Sequence, residues 1–226
     1  MALQQAVSVN PFNMKKSELL EYMTGRCKHR HLYCEHPSCF IKEKGKQIKV
    51  GYLDIETSNL KADVGIMLTW AIKTRDKDEH YSGRIKKKEI MEYKFDKRIC
   101  QELIDALDNY DVIITYYGTG FDIPFMRSRC LFYNLSFPTF GYVKHKDVYY
   151  MVKRLLKLHR NSLEAATKFF GIAGKNHVEL DIWRKAGFGH KASLDYVYDH
   201  NIRDVDILER LHKKLEAYDK GMAKSV

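Results

Sequence analysis

Asp54 and Glu56 stand two residues apart behind the apolar residues Val50, Tyr52 and Leu53, and strand alternation points both carboxylates to one face. Adjacent carboxylates repel, and one stays protonated unless a cation supplies the opposing charge. Oxygen ligands at this density suit Mg2+ or Mn2+ rather than Zn2+. A second acid, Asp122, follows the apolar run 111–116 and the turn Gly118, Thr119, Gly120, Phe121. A third, Asp204, stands four residues after His200 in a helical pattern of Val197, Ile202, Val205, Leu208 and Leu211, so the imidazole and the carboxylate share a face. Each has a plain structural explanation alone: an exposed strand end, a helix N-cap, a buried His–Asp pair. None of these explanations predicts the other two acids, so the three together indicate a split site for two divalent cations.

The elements that must position these residues follow from periodicity. The strand that carries Asp54 is followed by a second over 65–72 and a third near 79–82, with Asp76, Lys77 and Asp78 as the hairpin turn. Residues 99–107 read as an amphipathic helix leading into the strand at 111–116. In the next turn Phe121 anchors the chain in the core and Pro124 suits the first turn of a helix. Helices are expected over 123–133, 147–157, 162–170 and 193–217, Asp147 serving as an N-cap. The basic run 153–160 reads as an amphipathic helix with one basic face. Residues 182–189, with Lys175 ahead of them, read as a loop able to grip a strand of nucleic acid, in which Trp183 has a second reading as a core plug.

The stretch from about Lys49 to Leu215 resembles the DEDD superfamily of 3′–5′ exonucleases, which have an RNase H-like fold. Asp54 and Glu56 match its first motif, Asp122 its second and Asp204 its third. His200 lies at the spacing of the tyrosine-type branch, and Asp199 occupies the histidine-type position. Ser162, Leu163 and Glu164, followed by Phe169 to Ile172 and Lys175, resemble the helix before the third motif in family B polymerase proofreading domains and small stand-alone relatives. The chain departs from the family at Tyr117, where Asn is usual. The resemblance implies an α/β fold, a mixed sheet flanked by helices, and two Mg2+ or Mn2+ ions bridged by Asp54. Glu56 and Asp204 would complete one cation's shell and Asp122 the other's, with His200 orienting or deprotonating the attacking water. An imidazole, ordinarily titrating near pH 6.5, is better poised for that than a phenol near 10.

Composition is consistent with this. Of 226 residues 45% are hydrophobic, enough for one core. No apolar run reaches the ~20 residues that span a bilayer, and the first residues lack a signal-peptide core, so a cytoplasmic protein with no membrane partner is expected. A net charge of +10 favours a polyanionic partner; the resemblance implies nucleic acid, DNA rather than RNA, alongside a replication or repair protein. Phe121, Lys175, Trp183 and Arg184 are the candidate nucleic-acid contacts, since aromatic rings can stack on unpaired bases.

Three domains are expected: a basic Cys/His extension over 1–48, the nuclease domain over 49–218 and a flexible tail over 219–226. In the extension, 17–23 reads as a short helix stopped by Gly25, and three of five cysteines and three of ten histidines fall between 27 and 39. Such clusters bind zinc more often than they form disulfides in a reducing compartment. Cys27, His31, His36 and Cys39 supply a structural zinc set, with His29 or Cys34 as substitutes. Two alternatives remain beside a single-strand exonuclease: a non-catalytic nucleic-acid-binding module on the same scaffold, and an RNase H-like endonuclease or resolvase.

Overall fold

The computed structural model describes residues 16–44, 49–173, 179–219 and 224–225; Lys175 lies outside them. The strand that carries the first two acids, β1 (Val50–Thr57), pairs antiparallel with β2 (Met67–Thr74), which pairs antiparallel with β3 (His80–Arg84). On its other side β1 runs parallel to β4 (Val112–Thr115), and β4 runs parallel to β5 (Lys144–Asp147). The pair Lys224–Ser225, in a stretch expected to be a flexible tail, adds antiparallel to β5 as β6. The order is β3-β2-β1-β4-β5-β6, the mixed, helix-flanked sheet expected of an RNase H-like fold.

The period of two along β1 divides its side chains between two layers. Leu53 and Ile55 enter a core with Ile99 and Leu103 of α4 (Lys97–Leu107) and Phe125 and Met126 of α5 (Asp122–Phe132). Tyr52 enters the opposite core with Val148, Met151 and Val152 of α6 (Val148–Leu155), Leu163 and Ala166 of α7 (Leu163–Phe169), and Val205, Leu208 and Leu211 of α9 (Lys191–Leu215). Asp54 and Glu56, in phase with Tyr52, therefore lie on the α9 side. The buried stripe of α9 is apolar at Leu194, Val197, Val205, Leu208 and Leu211, and polar at His200, Asn201 and Asp204.

On the first layer Asp96, fully buried, accepts from the Met67 amide at 2.8 Å, Arg129 Nη2 at 2.6 Å and the Tyr133 hydroxyl at 2.7 Å. This ties α5, whose first residue is Asp122, to the start of β2. Buried charges persist when paired and hydrogen-bonded.

Several expectations change. Residues 180–187 form a helix, α8 (Leu180–Gly187), rather than a loop; Ile182, Trp183 and Ala186 share the face packed on the first core. The helix after Asp147 stops at Leu155, so the basic run 153–160 is only partly helical. α3 (Lys87–Met91) and β5 carry no expected periodicity: β5 reads Lys-His-Lys-Asp.

His212, on α9, is 2% exposed and hydrogen-bonded through Nδ1 to the Tyr52 hydroxyl at 3.0 Å. Burial first, then the Lys146 charge, lowers its pKa to about 4. In the unfolded chain an imidazole takes a proton near pH 6.5, so between those values the unfolded state binds more protons and stability falls as pH falls. His145, buried against Thr115, shifts in the same direction. Denaturant titrations should show His212 costing about 2 kcal/mol between pH 7 and pH 5. The His212→Gln variant should have a visibly shallower slope in that window; equal slopes would refute the assignment.

Candidate metal centre

Glu56 and Asp54 occupy the end of β1, opposite Thr69 and Ala71 of β2, and a β-bulge follows at Glu56/Thr57. From α9, His200 and Asp204 project one turn apart onto this end. His200 Nε2 lies 3.7 Å from Glu56 Oε1 and 3.7 Å from Asp204 Oδ2. One ligand atom from each of Glu56, His200 and Asp204 falls within 4.8 Å of the others. The Trp183 and His200 rings meet in a T-shaped contact at 5.7 Å between centroids and 82° between planes, so α8 braces the His200 ring.

Asp54 is held by a residue that sequence reasoning missed. Asn201, fully buried, donates from Nδ2 to Asp54 Oδ2 at 2.7 Å and accepts at Oδ1 from the Thr69 hydroxyl at 3.0 Å. One amide thus couples β1, β2 and α9 at the carboxylate. The only sequence signal was its place beside His200 on the buried stripe of α9.

Asp122 arrives from the other side of β1. Where β4 ends at Thr115 the chain turns away from β1, and Asp122 Oδ1 accepts the Ile55 amide at 3.2 Å. That amide sits between the two acids of β1, so Asp122 is fixed against the same strand end. Burial pushes its carboxyl up to about 7, and the Asp147 charge adds to the shift. A dianion-forming site of this kind favours a cation.

The turn that delivers Asp122 is organised by Asp147. Its carboxylate caps α6 through the Tyr149 amide at 3.0 Å and also accepts the Tyr117 amide at 2.8 Å and the Thr119 amide at 2.9 Å. The N-cap role was expected; the grip on the preceding turn was not. A Cβ on Gly118 would fall 2.1 Å from Thr115 Oγ1, so only glycine fits there. Tyr117 itself takes φ of 65°, a left-handed conformation that Asn adopts at lower cost than Tyr. Phe121, half-buried, packs on the first core, and Arg184 is exposed on α8.

The donor set is four carboxylates and one imidazole, which fits a hard divalent cation. The structure brings Glu56, His200 and Asp204 together and places Asp54 and Asp122 on the same strand end. In the N-terminal extension a second group assembles from Cys27, His29 and Cys39. His31 Nδ1 lies 3.8 Å from Cys27 Sγ, while His36 stacks on the His31 ring at 4.1 Å and is not part of that group. His29, an expected substitute, is thus in the group of three, and His31 and His36 of the expected set lie outside it. No helix among the described residues is long and apolar enough to cross a membrane.

Comparison with known proteins follows the same lines. The chain is 30% identical over 99 residues to a DNA polymerase of Methanocaldococcus jannaschii, a match covering 35% of this chain and 6% of that protein. The family B DNA polymerase of the hyperthermophilic archaeon Pyrobaculum calidifontis superposes with a TM-score of 0.59 at 17% identity, over 76% of this chain and 25% of that one. The latter likeness is one of fold, and the chain spans only a small part of either polymerase. The RNase_H_2 family model, of the RNase H superfamily, matches residues 51–216, a span that holds β1, the Asp122 turn and α9 with all five residues of the centre. The chain belongs to the RNase_H_2 family of the RNase H superfamily.

Proposed function

We propose that the chain is a metal-dependent 3′–5′ exonuclease that hydrolyses phosphodiester bonds at single-stranded DNA ends, using two Mg2+ or Mn2+ ions. The observation that carries this reading is the approach of Glu56, His200 and Asp204 to within 4.8 Å of one another at the strand end that bears Asp54 and receives Asp122. Bound divalent cations would supply Lewis-acid stabilisation of the phosphate and a nucleophile at neutral pH. Asp54, Glu56, Asp122 and Asp204 would hold them. Asn201 keeps the Asp54 carboxylate oriented, and Asp147 keeps the Asp122 turn in place. His200, braced by Trp183, orients the attacking water and accepts its proton at Nε2.

A DNA substrate is supported by the likeness to two DNA polymerases and by the net charge of +10. An open cleft of about 530 Å³ beside the Asp122 turn is lined by Tyr116, Tyr117, Tyr149, His159 and Arg160. Rings and cations together suit unpaired bases and their phosphates. Phe121 of the Asp122 turn, Trp183 and Arg184 of α8, and Lys175 remain the proposed contacts, and a replication or repair protein the proposed partner.

The test is digestion of 5′-labelled single-stranded DNA and RNA with and without Mg2+ or Mn2+. A ladder of products shortened one nucleotide at a time, from DNA and only with metal, is expected. A single internal cut, or no hydrolysis with either metal, would refute the exonuclease reading.

A further inference from the structure

We propose that the N-terminal extension is built around a structural zinc ion held by Cys27, His29, His31 and Cys39, a site separate from the carboxylate centre. The local chain assembles the donors from two pieces. A tight turn is closed by the Cys27 amide on the His31 carbonyl at 2.9 Å and the Arg30 amide on the Cys27 carbonyl at 2.7 Å, with Arg30 at φ of 67°. An isolated bridge between Arg26 and Leu32 extends it. The turn brings His29 Nδ1 to 4.0 Å and His31 Nδ1 to 3.8 Å from Cys27 Sγ. The second piece is the helix α2 (Pro37–Lys44), whose first turn carries Cys39, where the helix dipole favours a thiolate.

Ligand atoms of Cys27, His29 and Cys39 lie within 4.8 Å of one another, and His31 stands beside Cys27 as the fourth donor. Zinc bonds of about 2.3 Å to sulfur and about 2.0 Å to nitrogen give tetrahedral S···N edges of roughly 3.5 Å. His29 Nδ1 lies 4.0 Å from Cys27 Sγ and 3.8 Å from Cys39 Sγ, and His31 Nδ1 lies 3.8 Å from Cys27 Sγ. Two thiols and two imidazoles are a preferred zinc set, unlike the carboxylates of the other centre. Cys34 is turned elsewhere, its thiol donating to the Met23 carbonyl at 3.7 Å.

The extension also needs such a staple. Its buried cluster is Tyr22, Cys27 and Tyr33, with Phe40 in T-shaped contact with both tyrosines at 5.1 Å. Three buried side chains cannot offset the conformational entropy of ordering the turn and two short helices, and small units with cores this thin are held by metals or disulfides. Cys27 and Cys34 form no disulfide, and a bound metal would supply the staple. The ion would also fix the exposed basic residues Arg26, Lys28 and Arg30, which alternate with the ligands.

The experiment is metal analysis and Co2+ substitution of the full chain purified without chelator. About one zinc per chain is expected, and the Co2+ form should show the intense visible bands of a tetrahedral ion with a near-ultraviolet thiolate band. Cys27→Ser with Cys39→Ser should lose both signals, and His29→Ala should lose tight binding, whereas Cys34→Ser and His36→Ala should keep them. Since the double variant can fail to fold, Cys39→His provides a conservative replacement: it should keep the metal with the thiolate band roughly halved, one sulfur being gone. A wild-type chain with neither zinc nor a Co2+–thiolate band overturns the site, as does full retention in Cys27→Ser with Cys39→Ser. Metal content and spectra are read without nuclease activity, so either result leaves the proposed function to its own test.

Discussion

Asp54→Asn should abolish metal-dependent hydrolysis while leaving the fold and DNA binding intact. The carboxylate stands at the end of β1 beside Glu56, with Asp122 fixed against the adjoining Ile55 amide, and no neutral side chain can replace its charge toward a divalent cation. Asparagine is the informative substitution because Asn201 donates to Asp54 Oδ2 from a fully buried position, and an amide oxygen keeps that acceptor. Asp54→Ala should be equally inactive but less stable by about 1–3 kcal/mol, the cost of leaving the buried Asn201 donor unsatisfied. Product ladders measure the first effect and thermal or denaturant midpoints the second. Wild-type turnover by Asp54→Asn would remove the carboxylate centre as the site of chemistry; equal stability of the two variants would remove the Asn201 argument alone.

What was legible in the sequence is what depends on local period. Alternation along β1 separates Tyr52, Asp54 and Glu56 from Leu53 and Ile55, and the structure sends these two sets into opposite layers. Helical spacing puts His200 and Asp204 on one buried face of α9. The spatial meeting of these faces was inferred from the coincidence of three acidic clusters and from family resemblance, because no periodicity tells which strand a helix crosses. What was missed depends on contacts distant in sequence. Asn201 acquires its role from Thr69 and Asp54, both more than a hundred residues away. β5 lacks an apolar alternation, since its strand state comes from pairing with β4 and β6. Residues 182–189 read as a loop, yet Gly187 ends α8 and Gly189, at φ of 79°, follows it as a stop. His29 was only a substitute in the Cys/His cluster, and the turn over 27–31 is what brings it to both sulfurs.

His200→Ala should lower kcat by about 10²–10⁴-fold, the usual range for a lost general base. Its Nε2 sits 3.7 Å from one oxygen each of Glu56 and Asp204, and the Trp183 ring packs against it, so the imidazole is beside the carboxylates that would hold a cation. Three roles make different demands on the variant. A water-orienting base lowers kcat while KM for DNA and the Mn2+ concentration for half-activation stay near wild type. A cation ligand raises that Mn2+ concentration. A packing partner of Trp183 lowers the thermal midpoint and leaves turnover alone. His200→Tyr restores a hydroxyl four residues before Asp204, the arrangement of the tyrosine-type branch, and should recover part of the lost kcat at unchanged metal demand. The larger ring must displace Trp183 from its T-shaped contact, so the variant should also unfold earlier than wild type, and the two measurements together separate chemistry from packing. If His200→Ala turns over at the wild-type rate, the imidazole is a packing residue, and Asp54, Glu56, Asp122 and Asp204 serve the chemistry without it.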